Sequence, residues 1–243
     1  MIDFKRLGER ANREPPRVPG LTIAVTGHRP DKLWHRREQV GGVTVSHDGY
    51  EWGNPLRQRL RAEVRAATES LVAKAKRHRF DAGYRDGYLA RVRWQNGWCD
   101  GEPGAERWRS IEFLTLSGGA LGADQDAAGE WRRMGLPYVV VQPFPGQDSR
   151  WTKEARATYA KVLAAAAGVY CVSEHHRPSG GDDPRSLLLL RNEVMLCMAD
   201  ELLAVYDGSS GGTQHAVKWW DRAHCGAHMY RLDPREWRPN HER

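Results

Sequence analysis

The chain has 243 residues, 40% of them hydrophobic and 28% charged, and a formal net charge of +6. That length suits a single α/β domain with insertions, and no apolar stretch approaches the roughly 18 residues of a membrane span, so no membrane partner is expected. The positive balance favours anionic partners, either the phosphates of a small ligand or a nucleic-acid backbone.

Met1 to Gly20 reads as an N-terminal arm. It is mixed and charged and has no secretory apolar run, so a cytoplasmic location is expected. Leu21 to Val25, bounded by Pro19-Gly20 and Gly27, reads as a buried first strand. Residues 34–53 form an insertion in which the alternation around Asp48-Gly49 suggests a small β-hairpin. From Pro55, Leu56, Leu60, Val64, Leu71, Val72 and Ala75 recur at helical spacing, with Asn54 and Pro55 suited to the cap and first turn. The basic residues from Arg57 to Arg79 suit a solvated helix face. A second insertion, 80–108, mixes Tyr84, Tyr88, Trp94, Trp98 and Trp108 with arginines; it could stack on bases or pack against the body.

Beyond it, strands are expected at Ile111 to Leu116, Tyr138 to Gln142, Val169 to Ser173, Leu202 to Tyr206 and His228 to Leu232. Helices are expected at Asp124 to Met134, Lys153 to Ala167, Arg185 to Ala199 and Gly212 to His224, and residues 233–243 read as a tail. Repeated β-α units predict a Rossmann-like, doubly wound, mainly parallel sheet with helices on both faces. Cys99, Cys171, Cys197 and Cys225 form no CxxC pair, which argues against a zinc ribbon or a disulfide framework. His224-Cys225 with His228 lacks a matching pair, so no metal is expected.

Three glycine-bearing turns each follow an apolar strand: Thr26-Gly27-His28-Arg29-Pro30, the run Ser117-Gly118-Gly119-Ala120-Leu121-Gly122-Ala123-Asp124, and Gly208-Ser209-Ser210-Gly211-Gly212-Thr213. Parallel strands point the same way, so these turns meet at the carboxyl edge, where ligands of such sheets bind. A glycine turn that opens a helix lets the backbone approach an anion and directs N–H groups at it, although tight turns also need glycine for packing. Arg29 could pair with a phosphate. His28 is either a hydrogen-bonded structural residue or a ligand contact. Asp124 either caps its helix or accepts from a ribose hydroxyl. Arg191 and Asn192 are either a surface pair or ligand contacts, and Trp219-Trp220 serve either an interface of a homo-oligomer or the core.

These motifs, together with Gln142-Pro143-Phe144-Pro145-Gly146-Gln147, Trp151 and Ala204-Val205-Tyr206-Asp207, resemble the SLOG superfamily of Rossmann-like nucleotide-binding proteins. That group includes the DprA and LOG proteins, and the pattern looks most like the YpsA branch. The resemblance runs from about Leu21 to Leu232. It implies binding or sensing of a nucleotide-type ligand, ADP-ribose, an NAD-related species or a nucleoside phosphate, with no cofactor required. The residues it implies as ligand-binding are Thr26, Gly27, His28, Arg29, Ser117, Gly118, Gly119, Gly122, Asp124, Pro143, Arg191, Asn192, Asp207, Gly211, Gly212 and Thr213.

LOG enzymes cleave an N-glycosidic bond with an arginine and a glutamate three positions after the threonine of their glycine motif. Here Ala216 stands at that position, and an alanine cannot move a proton. The resemblance therefore implies holding a nucleotide more than cutting one. An N-glycosidase would need Asp124, Glu174 or Asp207, with Arg191, in place of the missing acid. A third reading is DprA-like binding of single-stranded nucleic acid.

Overall fold

The computed structural model describes residues 21–28, 36–40, 43–47, 54–78, 113–173, 183–223 and 229–237. In chain order its elements are β1 (Leu21–Gly27), β2 (Arg36–Val40), β3 (Val43–His47), α1 (Pro55–His78), β4 (Phe113–Ser117), α2 (Ala123–Arg133), β5 (Tyr138–Gln142) and α3 (Lys153–Ala165). They continue with β6 (Gly168–Cys171), α4 (Pro184–Cys197), β7 (Glu201–Val205), α5 (Gly212–Ala223), β8 (Met229–Leu232) and a 3-10 turn, Pro234–Trp237. The sheet has six strands in the order β6-β5-β4-β1-β7-β8, and every pairing in it is parallel. The expected Rossmann-like α/β architecture is therefore present.

Alternation along the strands divides the core in two. Ile23, Val25, Val140 and Leu203 face α1, α2 and α3 through Leu60, Val64, Ala127, Trp131 and Tyr159. Ala24, Leu116, Val141 and Leu202 face α4 and α5 through Met195, Leu196, Ala216 and Trp220. Each such aliphatic side chain removed from water stabilises the fold by roughly 1.5–3 kcal/mol. Trp219 and Trp220 are 7% and 1% exposed in this second cluster, so they serve the core and not an interface. The path β1-β4-β5-β6 covers one face and the path through β7 to β8 covers the other. This reversal between β1 and β7 creates the crevice where ligands of open α/β sheets bind.

Helix ends follow local chemistry. Asn54 Oδ1 accepts from the N–H of Leu56 (2.9 Å) and Arg57 (3.4 Å), Thr152 caps α3 and Asp183 caps α4.

Several expectations change. The hairpin pairs Arg36–Val40 antiparallel with Val43–His47, Val40 opposite Val43, while Asp48-Gly49 lie outside the described residues. The arginines of α1 are not all solvated. Arg57 binds Asp126 through its Nε and Nη2, and Arg61, Arg65 and Arg133 converge on Glu130, which is 1% exposed. Residues 233–237 are not a loose tail: Pro234 is buried and Trp237 packs on the core. No helix among the described residues is long and apolar enough to cross a membrane. The arm 1–20, the insertion 80–108 and the group His224, Cys225 and His228 lie outside the described residues, as does Cys99.

Candidate functional site

Because β1 lies between β4 and β7, the second and third glycine turns flank the first. The packing of β1 against α2 explains Gly27. A Cβ there would overlap the Ala123 side chain and stand 3.0 Å from Val205 Cβ, so glycine is what lets α2 lie on the strand. Thr26, one residue earlier, is 5% exposed. The Ala123 N–H then donates to the His28 carbonyl (3.4 Å), tying the first turn to the second.

The second turn is held by its own neighbours. Ser117 Oγ donates to the Asp124 carbonyl (2.9 Å) and accepts from the Gly119 N–H (3.1 Å). The Gly119 carbonyl accepts from Gln125 Nε2 (3.2 Å) and the Gly118 carbonyl from Gln147 Nε2 (3.5 Å). Gln147 also binds the hydroxyl of buried Tyr159, which accepts from Gln142 as well (2.7 Å). Gly122, with φ 94°, stands at the N-cap of α2, whose first turn carries Asp124 and Asp126.

Asp124 does not cap α2. Its carboxylate accepts from the Ala120 N–H (3.3 Å) and meets Arg191 Nη1 at 3.5 Å, with both side chains 6% exposed. The guanidinium lies on the backbone of Gly118, where any Cβ would overlap it. Burial pushes the Asp124 carboxyl up to about 6, against the charge and hydrogen bond of Arg191 and backbone hydrogen bonds from Ala120 and Gly27.

The third turn differs. Gly208, Ser210, Gly211 and Gly212 are exposed, while Thr213 is 6% exposed. Gly211 adopts φ 144° and its carbonyl accepts the His215 N–H (3.0 Å) as α5 begins. No acidic residue lies in the first turn of α5, and the leading N–H groups of any helix have no acceptor within it. Positive helix ends of this kind favour anions.

At the crevice itself, His28 Nε2 stands 2.6 Å from Asp207 Oδ1. Burial opposes ionisation of Asp207. Hydrogen bonds from Ser209, together with the charge and hydrogen bond of His28, outweigh it and hold the carboxyl at about 2. An ionised carboxylate only accepts, so the 2.6 Å contact needs the proton on His28 Nε2, whereas the Asp207 N–H, 3.3 Å from the same nitrogen, is a donor competing for it. Asp207 is 21% exposed where His28 is 3%, so the carboxylate is the solvent-facing member of this pair.

Arg191 and Asn192 lie midway along α4 and are 5% and 7% exposed, so they are not a surface pair. They span the crevice: Arg191 reaches the second turn, and Asn192 Nδ2 donates to the Gly212 carbonyl (3.3 Å) of the third. Pro143 is buried, and its carbonyl accepts from the Ser173 N–H (3.1 Å). Ala216 is fully buried in the core. Arg29 and Glu174 lie outside the described residues.

Two residues were not singled out from sequence. Tyr159 organises the Gln142 and Gln147 side chains, but nothing in α3 distinguishes it from an ordinary core tyrosine. Arg231 of β8 donates from Nε to the Tyr206 carbonyl (3.1 Å), and its guanidinium lies 5.0 Å from the Tyr206 ring centroid. Its Nη2 would be 3.8 Å from a Cβ on Gly208, which puts a half-exposed cation beside the third turn. An arginine between Tyr230 and Leu232 in a strand facing the α5 side was the available signal.

No protein-family model matches this chain. It is similar to the SPbeta prophage-derived protein YoqJ of Bacillus subtilis. The identity is 28% over 135 residues, covering 51% of this chain and 78% of YoqJ. A UPF0398 protein of Shouchella clausii is 29% identical over 104 residues, 40% of this chain and 53% of that relative. Among solved structures, DNA processing protein A of Helicobacter pylori, described for its single-stranded DNA binding mode, aligns with a TM-score of 0.46 and 12% identity, covering 88% of this chain and 65% of that one. DprA of Streptococcus pneumoniae aligns with a TM-score of 0.38 and 18% identity, over 50% of this chain and 40% of that one.

Proposed function

We propose that this chain binds a phosphorylated nucleotide of the ADP-ribose or nucleoside-phosphate class at the crevice between β1 and β7, as a SLOG-type binding or sensing protein. The observation that carries this reading is the exposed third turn, which opens α5 without an acid in its first turn and stands beside ionised Asp207. The anionic group sits against residues 211–213, with Arg231 as a nearby cation. Asp207, oriented by His28, accepts from ribose hydroxyls, as acidic residues do in nucleotide sites of this architecture. Isothermal calorimetry with ADP-ribose, AMP and NAD tests the proposal. Saturable binding that is lost in Gly212→Asp supports it, and absence of heat and of thermal stabilisation with all three ligands overturns it.

A second reading is N-glycosidic cleavage. Two carboxyls of one sheet edge are displaced in opposite directions, Asp124 up to about 6 and Asp207 down to about 2, a pattern that separates an acid from an ionised partner in glycoside chemistry. Release of free base from nucleoside monophosphates, abolished in Asp207→Asn, is its test.

A further inference from the structure

Arg191 is the conspicuous cation of the crevice, yet it is stowed. Its Nη1 occupies the place a Cβ on Gly118 would take, the side chain is 6% exposed, and its contact with Asp124 is 3.5 Å, long beside the roughly 2.7–2.9 Å of a strong charge-assisted hydrogen bond. The next residue, Asn192, already holds the third turn through the Gly212 carbonyl. We propose that Asp124 and Gly118 keep Arg191 in store, and that the ligand's anionic group takes Arg191 over while Asp124 accepts a proton from solvent.

The argument is one of competition between two counter-charges. A guanidinium stays charged at any ordinary pH, so a buried one needs an anion. Asp124 is the anion that stands beside it. It is a costly partner because it is buried, and its carboxyl is accordingly displaced up to about 6, close to the pH at which proteins work. A ligand anion arriving at the neighbouring turn offers a second counter-charge. Once Arg191 shifts to it, the Asp124 carboxylate loses its cation and protonates more readily. Among the described residues, the groups that act on the Asp124 carboxyl include Arg191 from α4, the Ala120 N–H and the Gly27 backbone of β1. Asp126 on the same helix is engaged by Arg57 of α1, and His28 by Asp207 of the third turn. Tyr159 of α3 feels the charge of Arg191, but burial raises its hydroxyl and keeps it neutral. Gly118 is a positioning residue in this scheme, since any side chain would evict the guanidinium.

Thermodynamic linkage makes the scheme measurable: if ligand binding favours protonation, protonation favours ligand binding by the same factor. The inference rests on the nucleotide reading above. ADP-ribose is the suitable probe because its pyrophosphate has no monoester group, whose second pKa of about 6 would add its own pH dependence. Calorimetry is run between pH 5.5 and 8 in two buffers of different ionisation heat, on the wild type, Asp124→Asn and Arg191→Gln. The expected result is wild-type binding at least about fivefold tighter at the acid end, with net proton uptake. Asp124→Asn loses both the pH dependence and the proton uptake, and Arg191→Gln weakens binding and flattens the profile. Equal wild-type affinity at the two pH values, or an unchanged profile in Asp124→Asn, overturns the storage scheme and leaves nucleotide binding intact. Absence of wild-type binding at every pH overturns both.

Discussion

The second and third glycine turns occupy equivalent places, each between a parallel strand and the helix that follows, yet they are built for different ends. In the second, residues 117–124, the Gly119 N–H, the Gly119 and Gly118 carbonyls and the Ala120 N–H are engaged by Ser117, Gln125, Gln147 and Asp124 respectively, and a guanidinium lies where a side chain would be. In the third, residues 208–213, four positions are exposed and the helix opens without an acid. Glycine in the first case is a packing requirement. In the second it leaves the backbone exposed. A shared motif thus carries two physical meanings, separated by what stands across from it.

The largest effect that distinguishes these roles belongs to glycines against which something is packed. Gly27→Val would drive α2 from β1 and is expected to cost about 3 kcal/mol or more, read as a shifted urea midpoint with unchanged slope. Gly118→Ala comes next, at about 1–3 kcal/mol, because the obstructing atoms belong to a side chain that can swing away. Arg231→Ala gives up the hydrogen bond to the Tyr206 carbonyl, the ring contact and the Asp233 ion pair, and should cost about 1 kcal/mol while lowering affinity about tenfold by calorimetry. Gly212→Ala adds a Cβ 3.9 Å from Asn192 Nδ2, an ordinary contact. It should leave stability within about 0.5 kcal/mol while weakening ADP-ribose binding, and a stability loss equal to that of Gly118→Ala would erase the distinction.

The two carboxylates sharpen the same comparison. Asp207 is displaced downward, so the stability it confers is complete above its unfolded value near 4 and is lost as pH falls towards about 2. Asp124 is displaced upward. The folded state then binds its proton more readily than the unfolded chain does, and stability rises as pH falls from about 6 towards 4. Carboxyl carbon titration by NMR should give the midpoints in that order, and the reverse order would contradict the assignment of the two environments.

Much of this fold was legible because its signals are local. Apolar runs such as Tyr138-Val139-Val140-Val141 mark buried parallel strands, and Asn54-Pro55 marks a helix start. The carboxyl edge followed from strand direction alone. What glycine does at that edge was not legible, since it depends on partners distant in the chain. Arg191 meets Asp124 across 67 positions, and His28 meets Asp207 across 179. Charge on α1 was misjudged for the same reason: Glu130, which gathers three arginines, lies 69 positions beyond Arg61. Trp219 and Trp220 suit either a core or an interface until the sheet face that receives them is known.

The central claim is that the third turn, and not the second, receives the ligand's anion. A crystal structure of the ADP-ribose complex tests it most directly. The account predicts pyrophosphate oxygens within hydrogen-bonding distance of the N–H groups of residues 211–213. Pyrophosphate bound instead to the N–H groups of residues 118–122, with the Asp124 carboxylate displaced to make room, would contradict it.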